Sequence, residues 1–98
     1  MSESVLQREI ILMLRRDGFR AWKVAFENRR GCPDLIAAKV IGSVPVVFWM
    51  EVKYGGGRVS AVQKRRHKEM QDAGMEVYVV RSLAQVQEIV QGYYTQYA

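Results

Sequence analysis

Val5, Leu6, Glu9, Ile10, Leu14 and their neighbours recur at helical spacing, which predicts a first helix from about Ser4 to Asp17. Ser4 with Gln7 fits a capping box, and Gly18 supplies a stop. Between Arg20 and Ala25 the pattern alternates, as a half-buried strand requires. Phe26 to Pro33 is polar and contains Gly and Pro, so it reads as a loop. Asp34 to Ile41 is a second strand, and Val44 to Lys53 a third. The nearly unbroken apolar run of the third marks it as central in the sheet. Gly55-Gly56-Gly57 must lie in a loop. Ser60 then caps a helix that ends at Gly74, with Gln63 at the third position. Glu76 to Arg81 is a short apolar strand, and Ser82 with Gln85 caps a final helix to about Gln91.

Strand, helix and strand from Val46 to Arg81 form a crossover unit, so at least one strand pair is parallel. The expected class is α/β, a small mixed β-sheet flanked by helices in the order α-β-β-β-α-β-α. Without repeats, linkers or low-complexity segments, residues 1–98 make one domain. A domain of this size buries only about 60–65% of its unfolded surface, so its stability margin is thin. No apolar run approaches the length that spans a bilayer. Met1-Ser2-Glu3-Ser4 lacks the features of a secretory signal. Cys32, the single cysteine, excludes an internal disulfide framework. The expectation is a reduced, cytoplasmic protein with no membrane association.

A net charge of +5 points weakly to a polyanionic partner. Its distribution says more. From Asn28 to Lys68 there are nine basic residues: Arg29, Arg30, Lys39, Lys53, Arg58, Lys64, Arg65, Arg66 and Lys68. The same stretch holds two acids, Asp34 and Glu51.

If Gly42-Ser43 is a two-residue hairpin turn, Ile41 faces Val44. Counting outward one residue at a time then brings Asp34 directly opposite Glu51, on one face of the sheet. Like charges so placed repel, with Cβ atoms about 4.5–5.5 Å apart, which makes a cation between them the natural partner. Magnesium suits two hard carboxylates completed by substrate phosphate. A three-residue loop would instead shift the register by one and send one acid to the opposite face. Pro45 lacks a donor just past the turn, so the expected hairpin tip is irregular. Alternation along the strand puts Lys53 beside Glu51 while Val52 points into the core. Two carboxylates, a divalent cation and an ammonium in a basic field are what phosphodiester hydrolysis requires.

Pro33-Asp34, sixteen residues and then Glu51-Val52-Lys53 resembles the motif of the PD-(D/E)XK nuclease superfamily. The longer string resembles the VRR-NUC (virus-type replication-repair nuclease) family. It comprises Arg30-Gly31-Cys32-Pro33-Asp34, Phe48 to Lys53, Gly57-Arg58-Val59-Ser60, Gln63 and Gly74 to Val80. The resemblance implies a restriction-endonuclease-like core and a DNA-cutting enzyme of repair or recombination that uses Mg²⁺, with Mn²⁺ able to substitute. It implies that Asp34, Glu51 and the Val52 backbone carbonyl hold the metal and that Lys53 is the catalytic lysine. It further places Glu3 and Gln63 at the active site. Stand-alone members of the family from phages and bacteria look like dimeric junction-cleaving enzymes, so a homodimer acting on branched DNA in a bacterial or phage-infected cell is implied too.

Each residue also has a plainer reading. Asp34 could be a turn residue after Pro33, Glu51 the partner of a lysine or arginine, and Lys53 a solvated strand end. Glu3 would favour a helix N-terminus in any case, and Gln63 could serve only the capping box. Arg29, Arg30, Arg58, Lys64, Arg65 and Lys68 are candidate phosphate contacts, although Lys64 to Lys68 also suits a solvated helix face. His67, one turn from Gln63, could approach the active site, but an exposed, non-catalytic histidine is the expectation. Gly55 to Gly57 could admit a DNA backbone or simply connect. Tyr93, Tyr94 and Tyr97 could pack on the core or on a partner subunit. Two competing functions stay open: a non-catalytic nucleic-acid-binding module, and a helper subunit of a replication or repair complex.

Overall fold

A computed structural model describes residues 1–25 and 30–98. The chain runs α1 (Glu3–Arg16), β1 (Arg20–Lys23), β2 (Leu35–Ile41), β3 (Val44–Val52), α2 (Ala61–Asp72), β4 (Val77–Val80) and α3 (Leu83–Tyr97). Element order is the one expected from the sequence. The caps differ in one place. Ser2, not Ser4, begins α1: its extended backbone turns into the helix and its Oγ accepts from the Val5 N–H at 3.3 Å. That earlier start puts Glu3 in the first turn. Gly18 closes α1 as expected, with Phe19 N–H bonded to the Leu14 carbonyl at 2.9 Å. Ser60 and Gln63 form the full capping box of α2.

The four strands lie in the order β1-β2-β3-β4; β1 pairs antiparallel with β2 and β2 with β3, while β3 and β4 are parallel. The crossover through α2 is thus the source of the parallel pair. β1 ends at Lys23, two residues short of expectation, and Ala21 is its one buried residue. The β2–β3 hairpin is regular to its tip, with Ile41 opposite Val44 and Val40 opposite Pro45. Pro45 does no harm there. Next to a two-residue turn, the second pair out is a non-hydrogen-bonded one, whose N–H groups point away from the partner strand. On its other side β3 pairs with β4 only from Trp49 onward.

Because side chains alternate, Val46, Phe48, Met50 and Val52 share one face of β3 with Leu35, Ala37 and Ile41 of β2. All are buried, packed with Leu6, Ile10 and Leu14 of α1 and Val86, Val90 and Tyr93 of α3. Phe48 sits at the centre. Phe19 and Tyr78 meet it edge-on at 5.9 Å between centroids, and Tyr93 stacks on it at 5.3 Å.

α3 was expected to stop near Gln91 but continues through Gly92 to Tyr97. The reason is packing: Tyr93, Tyr94 and Tyr97 all contact the chain's own core, and that burial outweighs the weak helix propensity of one glycine. The Tyr93 and Tyr78 hydroxyls are 2.8 Å apart. Tyr94 bonds the Asp17 carboxylate at 2.8 Å, and Lys39 donates to the Asp17 carbonyl at 2.6 Å, at the C-terminal end of α1.

Gly42, at φ 62°, carries the hairpin turn, and a Cβ there would collide with the Tyr97 carbonyl oxygen. Gly42→Ala is therefore expected to cost about 1–3 kcal/mol. Urea unfolding should show a lower midpoint at unchanged slope.

Candidate active site

The hairpin register decides where the two acids sit. Leu35 pairs with Met50, so Asp34 and Glu51 stand one step further out on facing strands, on the side of the sheet away from Phe48. Asp34 is held at both its backbone and its side chain. Its N–H donates to the Met50 carbonyl at 3.0 Å, its own carbonyl accepts from Val24 N–H at 2.7 Å, and its Oδ2 accepts from Val52 N–H at 2.9 Å. It is not a free turn residue. Lys53 N–H continues the β3–β4 ladder to the Val80 carbonyl at 3.0 Å. This aims the Lys53 side chain along the Glu51 face, where its Nζ lies 4.0 Å from Glu51 Oε2.

Glu51 is 1% exposed. Burial is the main force on its carboxyl, followed by a hydrogen bond with Asp34 and by the Asp34 charge; Lys53 opposes them, and Glu3 adds to the repulsion. Together they push the Glu51 pKa up to about 8. Glu3 thus acts on the site from α1. The Gly57 loop lies between it and Lys53: a Cβ at Gly57 would stand 3.6 Å from Lys53 Cδ and 3.8 Å from Glu3 Oε2. Arg81 anchors that loop through the Gly57 carbonyl at 2.6 Å.

On the open side, α2 covers Glu51. Gly31 (φ 81°) lets the turn before Asp34 press on this helix, since a Cβ there would be 2.7 Å from the Val62 carbonyl oxygen. Arg66 reinforces the contact by donating to the Arg30 carbonyl at 3.2 Å. Pro33 is buried and Cys32 half-buried with a free thiol. The Gln63 side chain accepts from Ser60 N–H at 2.9 Å, so its oxygen serves the cap.

His67 is not exposed, contrary to the expectation from sequence. It is buried, with Nε2 3.4 Å from Glu51 Oε1. Burial lowers the His67 pKa, against the pull of Asp34 and with the push of Lys53. Since burial drives both groups toward their neutral forms, the contact is not an ion pair in the metal-free protein. A signal was present in the sequence: Gln63, His67 and Met70 share one helix face, and an apolar Met70 marks that face as inward.

Arg30, Arg58, Lys64, Arg65 and Lys68 are exposed, and Lys68 contacts Asp72 at 3.2 Å. Arg29 lies outside the described residues. Lys39 belongs to the opposite face, over the rings of Phe19 and Tyr94.

The Glu51 shift has a consequence for stability. Between its ordinary value of 4.5 and about 8, the folded state keeps a proton that the unfolded chain has released. Its contribution is fully present below the lower value and is lost as pH rises toward the upper one. The urea midpoint of metal-free protein should fall across that window, and Glu51→Gln should flatten the decline.

The chain was compared with known proteins. Residues 2–84 match the model of the VRR-NUC domain. A solved structure of a VRR-NUC domain superposes with a TM-score of 0.79 at 29% identity, covering 94% of this chain and 97% of the other. A second VRR-NUC domain protein gives 0.72 at 20% identity, over 97% and 89%. Hjc from Archaeoglobus fulgidus, a Holliday junction resolvase, gives 0.53 at 26% identity, covering 74% of this chain and 61% of that one. No curated protein matches. With the family model spanning most of its length, on a sheet and helix order shared with these structures, the chain belongs to the VRR-NUC domain family.

Proposed function

We propose that the protein is a Mg²⁺-dependent endonuclease that hydrolyses phosphodiester bonds in structured DNA, with branched junctions favoured and Mn²⁺ able to substitute. Membership of the VRR-NUC family and likeness to a Holliday junction resolvase support a nuclease. The carrying observation is the convergence of Asp34, Glu51 and Lys53 on one side of the sheet.

The residues present fit a divalent cation. Glu51 keeps a buried Oε1 that has no hydrogen-bond partner among the described residues, beside a second carboxylate whose charge opposes its ionisation. Among the described residues no three His, Cys, Asp or Glu side chains are grouped to hold an ion. The donor set we propose is Asp34, Glu51 and the Val52 carbonyl, completed by water and phosphate, as is common for Mg²⁺. When bound, the ion supplies Lewis acidity to the phosphate and lowers the pKa of water. Asp34 enters this site pre-oriented by Val52 N–H. Glu51 must release its proton first, so metal uptake strengthens as pH rises toward 8. The Lys53 ammonium would orient the attacking water and stabilise the negative charge gathering on the phosphoryl oxygens. Glu3 and Gln63 complete the rim of the site. Arg29, Arg30, Arg58, Lys64, Arg65 and Lys68 supply phosphate contacts that position DNA without reading sequence.

A second copy of the chain is the partner we propose for the open end of the same sheet face. Trp22, Val40 and Val47 are 50%, 64% and 46% exposed there, beside Pro45. A two-fold dimer through this exposed apolar patch would supply the extra buried area that a small domain lacks.

Labelled four-way junctions, flaps and plain duplex, incubated with Mg²⁺ or Mn²⁺, test the enzyme reading. Junctions should be cut fastest, Asp34→Ala should be inactive, and Lys53→Ala should lose about 10²–10³-fold in rate. Equal behaviour of wild type and Asp34→Ala would remove the reading. In sedimentation experiments the wild type should run as a dimer and Val47→Glu as a folded monomer; a monomeric wild type would end the dimer proposal.

A further inference from the structure

Glu51 Oε1 and His67 Nε2 are both buried, neither has a hydrogen-bond partner among the described residues, and they lie 3.4 Å apart. The two oxygens of Glu51 are therefore distinguished by their surroundings: Oε2 looks toward Lys53 and Oε1 toward α2. An ionised carboxylate with one bare, buried oxygen is costly. Binding a cation through Oε2 would leave Oε1 in that state unless a donor reaches it, and His67 Nε2 stands 3.4 Å away.

We propose that His67 is a positioning residue of the metal centre, its Nε2–H donating to Glu51 Oε1 so that Oε2 is presented to the ion. This rests on the metal-dependent reading above and adds to it a residue outside the Asp34, Glu51 and Lys53 set. The role assigned to His67 is not that of a third ligand, because its Nε2 stands by Oε1 while Lys53 stands by Oε2. It acts through Glu51. Hydrogen bonds of this kind orient ligating carboxylates, and their loss lowers metal affinity. The fold supports the role. His67 is carried on the second turn of α2, which the Ser60–Gln63 box caps and the Gly31 turn abuts, so the imidazole is held at a fixed height above β3.

His67 is the single histidine of the chain, so ¹⁵N-histidine labelling gives one imidazole to follow by NMR. Mg²⁺ should shift its Nε2 resonance with the midpoint found calorimetrically, and the bound form should carry its proton on Nε2. Asp34→Ala should abolish both the shift and the binding heat. By Mn²⁺ titration, His67→Met should bind about 10–100-fold more weakly, while His67→Gln, which keeps an amide donor, should stay close to wild type. An imidazole indifferent to Mg²⁺ that still binds through Asp34 would overturn the role of His67 and leave the metal site standing. Wild-type affinity in folded His67→Met would do the same. Should His67→Met fail to fold, the wild-type spectrum decides alone. Absence of any Asp34-dependent binding would remove the metal reading, and this inference with it.

Discussion

Two carboxylates are held against each other across the open end of a hairpin, one of them fully shielded from water, and the surrounding structure is organised around that repulsion. In water two such charges would separate. Here Asp34 is bound at its amide, its carbonyl and its side chain, while Glu51 is gripped between β4 and α2. Neither can move away. Burial and the Asp34 charge keep the Glu51 carboxyl protonated up to about pH 8, and the Mg²⁺ proposed above would take the place of that proton.

Such a strained arrangement needs a rigid base. The base is the other face of the same four strands, where Phe48, Met50 and Val52 interlock with α1 and α3. Along β3, Val46, Phe48, Met50 and Val52 build the core, while Glu51 turns to the candidate site on the other face. The aromatic cluster around Phe48 extends to Tyr93 and Tyr97, so the last helix works as a clamp on the hairpin. The Tyr97 carbonyl reaches the tip of that hairpin beside Gly42. A disturbance at the C-terminal helix can therefore reach the register on which the acids depend.

The basic residues divide by face in the same way. Lys39 caps the C-terminal end of α1 and lies over aromatic rings on the core side, so it belongs to the scaffold. Arg66 ties α2 to the turn before Asp34. Arg30, Arg58, Lys64 and Arg65 stay exposed at the surface. The surface pairs Arg66–Glu69 and Lys68–Asp72 are solvated and contribute little to stability.

Local rules alone determined much of this protein. Period and caps set the order of elements, and Gly42-Ser43 with Ile41 opposite Val44 gave a register in which Asp34 meets Glu51. Yet the sequence left a three-residue loop open, and that would have separated the acids. Tertiary packing chose between them, because only one register buries Leu35, Ala37 and Ile41 together with Phe48 and Met50. Packing also decided what local signals misjudge. Tyr93 and Tyr97 carry α3 past a glycine because their rings find the core, and Ser2 displaces Ser4 as a cap by one half-turn of geometry. His67 is the clearest case. Its immediate neighbours are charged, and only the shared face with Met70 points inward; its environment is set by β3, distant in sequence, and burial is a property of what lies opposite.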